Sequence, residues 1–240
     1  MKRNIFALLR TFVLAAFVPA LSLSLVSCEP ENESDNEDTT DNLESSDTSD
    51  YEAVDLGLSV KWASCNVGAT VPEEYGGYYA WGETEEKTDC SWTTYKWCNG
   101  SEYSMTKYCT DSHWGTVDNK ITLDPEDDVA HVKWGGGWRM PTLSEIQELC
   151  NDCSWEWTSV NGVNGYKVIG TNGNSIFLPA AGNGGADAED FRGMFGSYWS
   201  ATLGNMGCQG ANDLSFHYSG RRECSGTYRY VTCTVRPVSE

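Results

Sequence analysis

The residues of this chain best suited to chemistry are its cysteines. The 240-residue sequence holds ten, and nine of them, Cys65, Cys90, Cys98, Cys109, Cys150, Cys153, Cys208, Cys224 and Cys233, fall after residue 50. A thiol can act as nucleophile, metal ligand or half of a disulfide. Nine is an odd number, so at least one thiol stays free or pairs with another chain. Cys150-x-x-Cys153 invites two sharper readings. A redox motif would want a thioredoxin-like βαβ frame, and no such alternation surrounds it. Half of a zinc site would need a second pair at similar spacing, and none exists. His113, His131 and His217 belong to no HExxH or other metal signature, and there is no GxSxG elbow or phosphate-binding loop. A Ser-His-Asp or Cys-His set can be assembled from the composition, but no spacing favours one. Asp124-Pro125-Glu126-Asp127-Asp128 offers carboxylate oxygens to calcium, but it lacks EF-hand spacing and reads as an acidic helix start. The residues alone therefore assign no catalytic residue, no metal ligand and no cofactor.

The tenth cysteine carries a different signal. Lys2, Arg3 and Arg10 precede a mostly apolar stretch, Thr11 to Val26, broken by Pro19 and several serines and short for a membrane span. That is the layout of a secretory signal. It ends Leu25-Val26-Ser27-Cys28, which resembles a bacterial lipobox; the alternative is an ordinary signal peptide with a chance cysteine. On the lipobox reading residues 1–27 are a lipoprotein signal peptide, and Cys28 becomes the new N-terminus and carries acyl chains such as palmitate. At about 0.8 kcal/mol per buried CH2, several chains anchor a protein stably, so the membrane is the first expected partner. Residues 28–50 read as an acidic, disordered tether. From Glu29 to Asp50 there are ten acidic residues, no Lys, Arg or aromatic, and Leu43 as the only large aliphatic. Such a segment cannot bury enough apolar surface to offset its ordering entropy, and like charges extend it. Acidic residues just after the cysteine, Cys28-Glu29-Pro30-Glu31-Asn32-Glu33, resemble the surface-export signals of Bacteroidetes lipoproteins. The expected location is the outer membrane, facing the cell surface; a plain spacer facing the periplasm is the alternative.

Residues 51–240 are enough for one sizeable domain. The chain's net charge is −19; discounting the ten tether acids and three leader cations leaves −12 on the domain. An acidic domain repels phosphate backbones, so nucleic acid is not an expected partner. All ten tryptophans lie in this part. Val54, Leu56, Leu58, Val60 and Trp62 alternate as in a half-buried strand. Tyr78 to Trp81 reads as a short aromatic strand, and Thr84 to Asp128 as a long irregular stretch. A helix is expected after Pro141, where Thr142 and Glu145 form a capping-box pattern and Leu143, Ile146, Leu149 and Cys150 share a face. Tyr166–Ile169 and Ser175–Leu178 flank Asn172-Gly173, a hairpin signal. Further strands are expected at Tyr198–Thr202, Asp213–Tyr218 and Tyr228–Val235.

A series of phrases now lines up: Val54-Asp55-Leu56-Gly57-Leu58, Trp62-Ala63-Ser64-Cys65-Asn66-Val67-Gly68-Ala69, Tyr79-Ala80-Trp81-Gly82-Glu83, Trp138-Arg139-Met140-Pro141-Thr142, Ile176-Phe177-Leu178-Pro179-Ala180-Ala181-Gly182, Tyr198-Trp199-Ser200 and Val235-Arg236-Pro237-Val238. Together they resemble the Fibrobacter succinogenes major paralogous domain family, common in Bacteroidetes lipoproteins, over nearly all of residues 53–238. The resemblance implies an α+β, C-type-lectin-like fold related to the formylglycine-generating-enzyme group: a small twisted antiparallel sheet, flanking helices and long loops. It implies no firm biochemical activity, and fold alone does not give function. Trp62, Trp81, Trp138 and Trp199 are expected in the core, and Arg139 paired with Glu145 or a buried carbonyl. The formylglycine-generating relatives use a reactive cysteine pair in their C-terminal part, but the surroundings of Cys208, Cys224 and Cys233 do not match that pattern. The Glu-Pro-Asn and Trp-Asn-Asp motifs of calcium-dependent lectins are missing too. The resemblance also suggests a Cys65–Cys153 disulfide, with both remaining buried thiols as the alternative.

Three functions stay open. The first is a surface-displayed, non-catalytic binding module for a glycan or a host or matrix protein. The second is a cell-envelope or fimbria-like assembly subunit, and the third an enzyme. For the first, the expected surface joins the loop 181–196, with Asp187, Glu189, Asp190, Phe191 and Arg192, to the segment 217–222, with His217, Tyr218, Arg221 and Arg222. Aromatic rings there can stack on sugars, carboxylates and arginines can bond hydroxyls, and Arg221 with Arg222 forms a local positive patch suited to a sulfated or carboxylated glycan. The aromatic-rich region Trp92 to Trp114 is the next candidate.

Overall fold

The computed structural model describes residues 51–184 and 191–240. Residues 1–50, where the signal peptide, Cys28 and the tether are expected, lie outside the described residues. The domain is α+β and its strand ladders are antiparallel. Among the described residues the strands form four small sheets rather than the one sheet expected.

The described residues open with β1 (Ala53–Val54) and β2 (Lys61–Ala63), and the last strand, β11 (Val238–Ser239), pairs with β2, so the two ends of the domain meet. The alternation from Val54 to Trp62 does not make one strand. Gly57 takes φ +75°, and its N–H donates to Asp55 Oδ1 at 2.7 Å, closing a side-chain turn that breaks the run. The same turn leaves Leu56 fully buried.

The helix after Pro141 forms as its capping signal predicts. Helix α2 (Leu143–Asp152) has both halves of the capping box, and Ile146 and Leu149 are buried. Arg139 grips Glu145 with two guanidinium nitrogens at 2.6 and 2.9 Å, which fixes the N-terminal end of α2. The acidic run also behaves as a helix start. Asp128 caps the short helix α1 (Val129–Trp134), accepting from the N–H groups of Ala130 and His131.

After α2 come β4 (Ser154–Val160), β5 (Val163–Ile169) and β6 (Ser175–Pro179), a meander in the order β4-β5-β6. The β4–β5 turn is Asn161-Gly162, both with positive φ (49° and 84°), the two-residue turn whose twist suits a hairpin. A second sheet holds β7 (Phe195–Leu203), β8 (Gly210–His217) and β9 (Arg222–Tyr228). One face of this sheet sends Tyr198, Leu214 and Phe216 into a core shared with Leu56, Trp62, Ile146, Leu149, Tyr166 and Val168. The other contributes Trp199 to a second core with Trp81, Trp138, Tyr79 and Tyr108. The four expected tryptophans are at most 3% exposed. The run from Tyr228 to Val235 is two pieces: β9 ends at Tyr228, a turn follows, and β10 (Thr232–Cys233) pairs with β3 (Tyr79–Ala80).

The long stretch 84–128 is irregular, as its composition suggests. Arg229, in the break between β9 and β10, is fully buried beneath it and donates to the carbonyl of Tyr108 at 2.9 Å and of Lys107 at 3.3 Å. Its guanidinium lies 5.5 Å from the Trp81 ring and 5.3 Å from Tyr95.

Candidate binding surface

Antiparallel pairing puts the two expected binding segments side by side. Phe195 at the start of β7 faces His217 at the end of β8, so residues 191–194 and the β8–β9 turn emerge together. Tyr218 N–H donates to Met194 O at 2.9 Å and ties them directly. Gly193, at φ +79°, bends the first segment, and its carbonyl accepts from Asn164 Nδ2 at 3.1 Å. The turn closes through His217 N–H to Arg221 O at 2.9 Å, with Gly220 at φ +92°. His217 Nδ1 accepts the Ser219 N–H at 3.3 Å, which sets the ring's orientation.

The result is a sheet end with three exposed apolar side chains, Phe191 (48% exposed), Met194 (42%) and Tyr218 (54%). The His217 and Tyr218 rings are 4.2 Å apart. Beside them is an open pocket of about 390 Å³ lined by Phe195, Ser215, His217, Ser219, Arg221 and Glu223. Asp187, Glu189 and Asp190 lie outside the described residues.

The expected positive patch is not formed. Successive strand residues point to opposite faces. Glu223 lies on the pocket side, and Arg221 pairs with it at 2.7 Å. Arg222 turns to the other face, 5.1 Å from the Trp155 ring. Arg192 is also engaged: its Nε donates to Tyr78 Oη at 3.2 Å, with the guanidinium over the Tyr78 and Tyr75 rings. Burial pushes the Tyr78 hydroxyl up despite that neighbour. The surface is an aromatic platform with paired arginines at its rim, not a concentrated cationic site.

A larger cleft of about 780 Å³ runs along β1 and the β4–β6 sheet. Its polar groups are partly spoken for: Asp55 Oδ1 holds Gly57 N–H, and Asn174 Nδ2 holds Asp55 O. Its one aromatic ring among the described lining residues, Phe177, is buried, so the cleft lacks a stacking platform there. A second aromatic area lies on the stretch 84–128. Tyr103 stacks on Trp114 at 5.2 Å, and Trp92 meets Tyr230 edge-on at 4.8 Å, with Tyr228 stacked on Tyr230. Sequence reasoning missed Tyr228 and Tyr230; their spacing of two within a strand-like run was the available signal.

The acidic run does not offer a free cation site. Lys107 Nζ lies 2.6 Å from carboxylate oxygens of both Asp124 and Asp127, where a metal ion would have to sit. Asp127 is buried and also accepts from Tyr108 Oη at 2.7 Å.

The cysteines are not arranged as the resemblance suggests. Cys65 and Cys153 are separate thiols. Cys65 packs in the core of Trp81 and Trp199 and donates to Ala69 O, whereas Cys153 packs with α2 in the other core. Instead Cys109 Sγ lies 2.8 Å from Cys208 Sγ, and Cys150 Sγ lies 3.6 Å from Cys224 Sγ. Cys233 is fully buried, 3.1 Å from Ser197 Oγ, which in turn donates to Asp213 at 2.7 Å. Burial and the nearby Asp213 charge push the Cys233 thiol up, the opposite of what a nucleophile needs.

Among the described residues no helix is long and apolar enough to cross a membrane. No family model, curated protein or solved structure matches the chain.

Proposed function

We propose that this chain is an outer-membrane lipoprotein, anchored through Cys28 and held off the bilayer by its acidic tether, whose domain is a non-catalytic glycan-binding module on a C-type-lectin-like frame. The observation that carries the reading is the convergence of residues 191–195 and 217–221 at one sheet end. That end presents exposed Phe191 and Tyr218 beside a pocket edged by His217, Arg221 and Glu223. Flat exposed rings provide apolar faces for the C–H surface of a sugar, and His217, Ser219, Arg221 and Glu223 supply hydrogen-bond partners for its hydroxyls. Sites of this composition, on turns held by a rigid sheet, suit recognition more than bond cleavage.

Pairing of Arg221 with Glu223 tunes the expected ligand. An acidic sugar must displace that carboxylate, so a neutral glycan, or one with an isolated carboxylate, fits better than a densely sulfated chain. The resemblance to the paralogous domain family agrees with a displayed, loop-bearing module. A glycan array probed with residues 51–240 tests the proposal. Retention of discrete neutral or singly acidic glycans is expected. Binding of none, or of every polyanion in proportion to its charge, would sink it.

A further inference from the structure

The cysteines that the binding reading leaves unused fall into two close pairs. We propose that each pair closes to a disulfide, Cys109–Cys208 and Cys150–Cys224, cross-linking the stretch 84–128 and helix α2 to the β7–β9 sheet.

The geometry of the first pair is the stronger argument. At 2.8 Å the sulfurs of Cys109 and Cys208 are closer than unbonded sulfurs normally rest, and a short step from the bonded length of about 2.05 Å. Both residues are fully buried, in a small core with Tyr95, Cys98 and Met105. The backbone holds them in place: Thr110 N–H points at Cys208 Sγ from 3.1 Å, and Asp118 accepts the N–H groups of Tyr108 and Cys109. Cys150 and Cys224 lie at 3.6 Å, one on the last turns of α2 and one on β9, both only partly buried. The remaining thiols have other neighbours. Cys98 donates to Trp92 O at 3.0 Å, Cys65 to Ala69 O at 3.5 Å, and Cys233 sits on Ser197.

Closure proceeds by thiol–disulfide exchange with an external disulfide, small-molecule or protein. One cysteine thiolate attacks that disulfide and expels a thiol, giving a mixed disulfide. The partner thiolate then attacks the Sγ of that first cysteine, breaks its bond to the external sulfur and releases the second thiol. For each bond formed, two protein S–H groups are lost, two protons pass to the departing thiolates, and one external disulfide is reduced to two thiols. The two pairs should differ in speed. Both members of the Cys150–Cys224 pair are only partly buried, within reach of an external disulfide, so this pair can start in the folded protein. Burial pushes the Cys109 thiol up to about 11, and neither member of that pair is accessible, so this bond forms during folding or through transient opening.

The test uses the full chain, purified reduced, equilibrated with excess glutathione disulfide, alkylated in denaturant and digested without reduction. Peptides joined through Cys109–Cys208 and through Cys150–Cys224 are expected as the dominant links, with Cys65, Cys90, Cys98, Cys153 and Cys233 alkylated. In a time course from the folded reduced protein, the Cys150–Cys224 link should appear first. Cys208→Ser should remove only the first link and Cys224→Ser only the second. If a variant fails to fold, the parent map still decides. Complete alkylation of all nine cysteines after residue 50, or dominant links of another pattern such as Cys150–Cys153 or Cys65–Cys153, would overturn the assignment. Because this experiment needs no ligand and no membrane, its result is separate from that of the binding proposal.

Discussion

Arg236 gives the sharpest stability prediction. Its side chain is 1% exposed, and its guanidinium faces four oxygens. Nε donates to Asn66 Oδ1 at 2.8 Å, Nη1 to the carbonyls of Ala63 and Ser64 at 3.1 Å each, and Nη2 to Phe177 O at 2.9 Å. These partners belong to the end of β2, the segment just after it and β6, so one planar fork stitches the terminal three-stranded sheet to the β4–β6 meander. None is a carboxylate, and burial drops the group's pKa to about 10. Replacing Arg236 with Met keeps an unbranched apolar stem and removes the donors. Each buried oxygen left without a partner costs about 1–3 kcal/mol, partly offset because a buried cation no longer has to be desolvated. A net loss of about 3–5 kcal/mol is expected for Arg236→Met, a large share of the roughly 5–15 kcal/mol that holds a domain together. Arg236→Lys should still lose about 2 kcal/mol, because one ammonium cannot reach acceptors on both sides. Urea unfolding followed by tryptophan fluorescence measures both. A loss below about 1 kcal/mol for the Met variant, at unchanged m-value, would refute the clamp.

Further outcomes are expected elsewhere. Cys28→Ser should abolish labelling by a fatty-acid analogue and move the protein from the membrane to the soluble fraction; unchanged labelling would end the lipoprotein claim. Burial raises the Glu145 carboxyl, but Arg139 and the Thr142 N–H more than offset it and hold its pKa below the usual range. Its contribution to stability is therefore complete above the unfolded-state value of about 4.3 and is lost as pH falls through the lower folded value. Glu145→Gln should cost about 1–2 kcal/mol at pH 7 and flatten the acid limb of the stability curve, whereas an acid limb identical to the parent's would contradict the pairing. Lys107→Met should destabilise by about 2–3 kcal/mol by leaving buried Asp127 with only the more exposed Lys96, at 3.3 Å, as its cation, and added calcium should restore little of the loss; recovery by micromolar calcium would mean the acidic run is a metal site after all.

Local signals proved readable where one short stretch determines the outcome. Thr142 and Glu145 cap α2 because both halves of that contact lie within one turn, and Asn172-Gly173 marked the β5–β6 loop for the same reason. The large tryptophans found the cores because few other places accept such area. An equivalent signal, Asn161-Gly162, passed unread because β4, Ser154–Val160, mixes Trp, Glu, Thr and Ser and did not look like a strand. The alternation from Val54 to Trp62 misled because Asp55 and Gly57 close a turn inside it. What the sequence could not reveal is pairing at long range. Arg229 and Arg236 are charged residues that only the folded chain shows to be buried. The partners of nine cysteines depend on which loops meet, and 99 residues separate Cys109 from Cys208. For the candidate site, both segments were legible as turns rich in Gly, aromatic and charged residues. The strand alternation that separates Arg221 from Arg222 was not, because β9 itself lacked a hydrophobic pattern.

Glycan binding at the sheet end bearing Phe191 and Tyr218 is tested by calorimetric titration of the tightest array ligand into parent and into Phe191→Ala with Tyr218→Ala. Both rings are about half exposed, so the double variant should unfold within a degree or two of the parent. Loss of two stacking faces, at about 1 kcal/mol each, predicts binding weakened roughly thirtyfold. Affinity within twofold of the parent, at unchanged stability, would contradict the account and move the site to the aromatic area around Trp92, Tyr103 and Trp114.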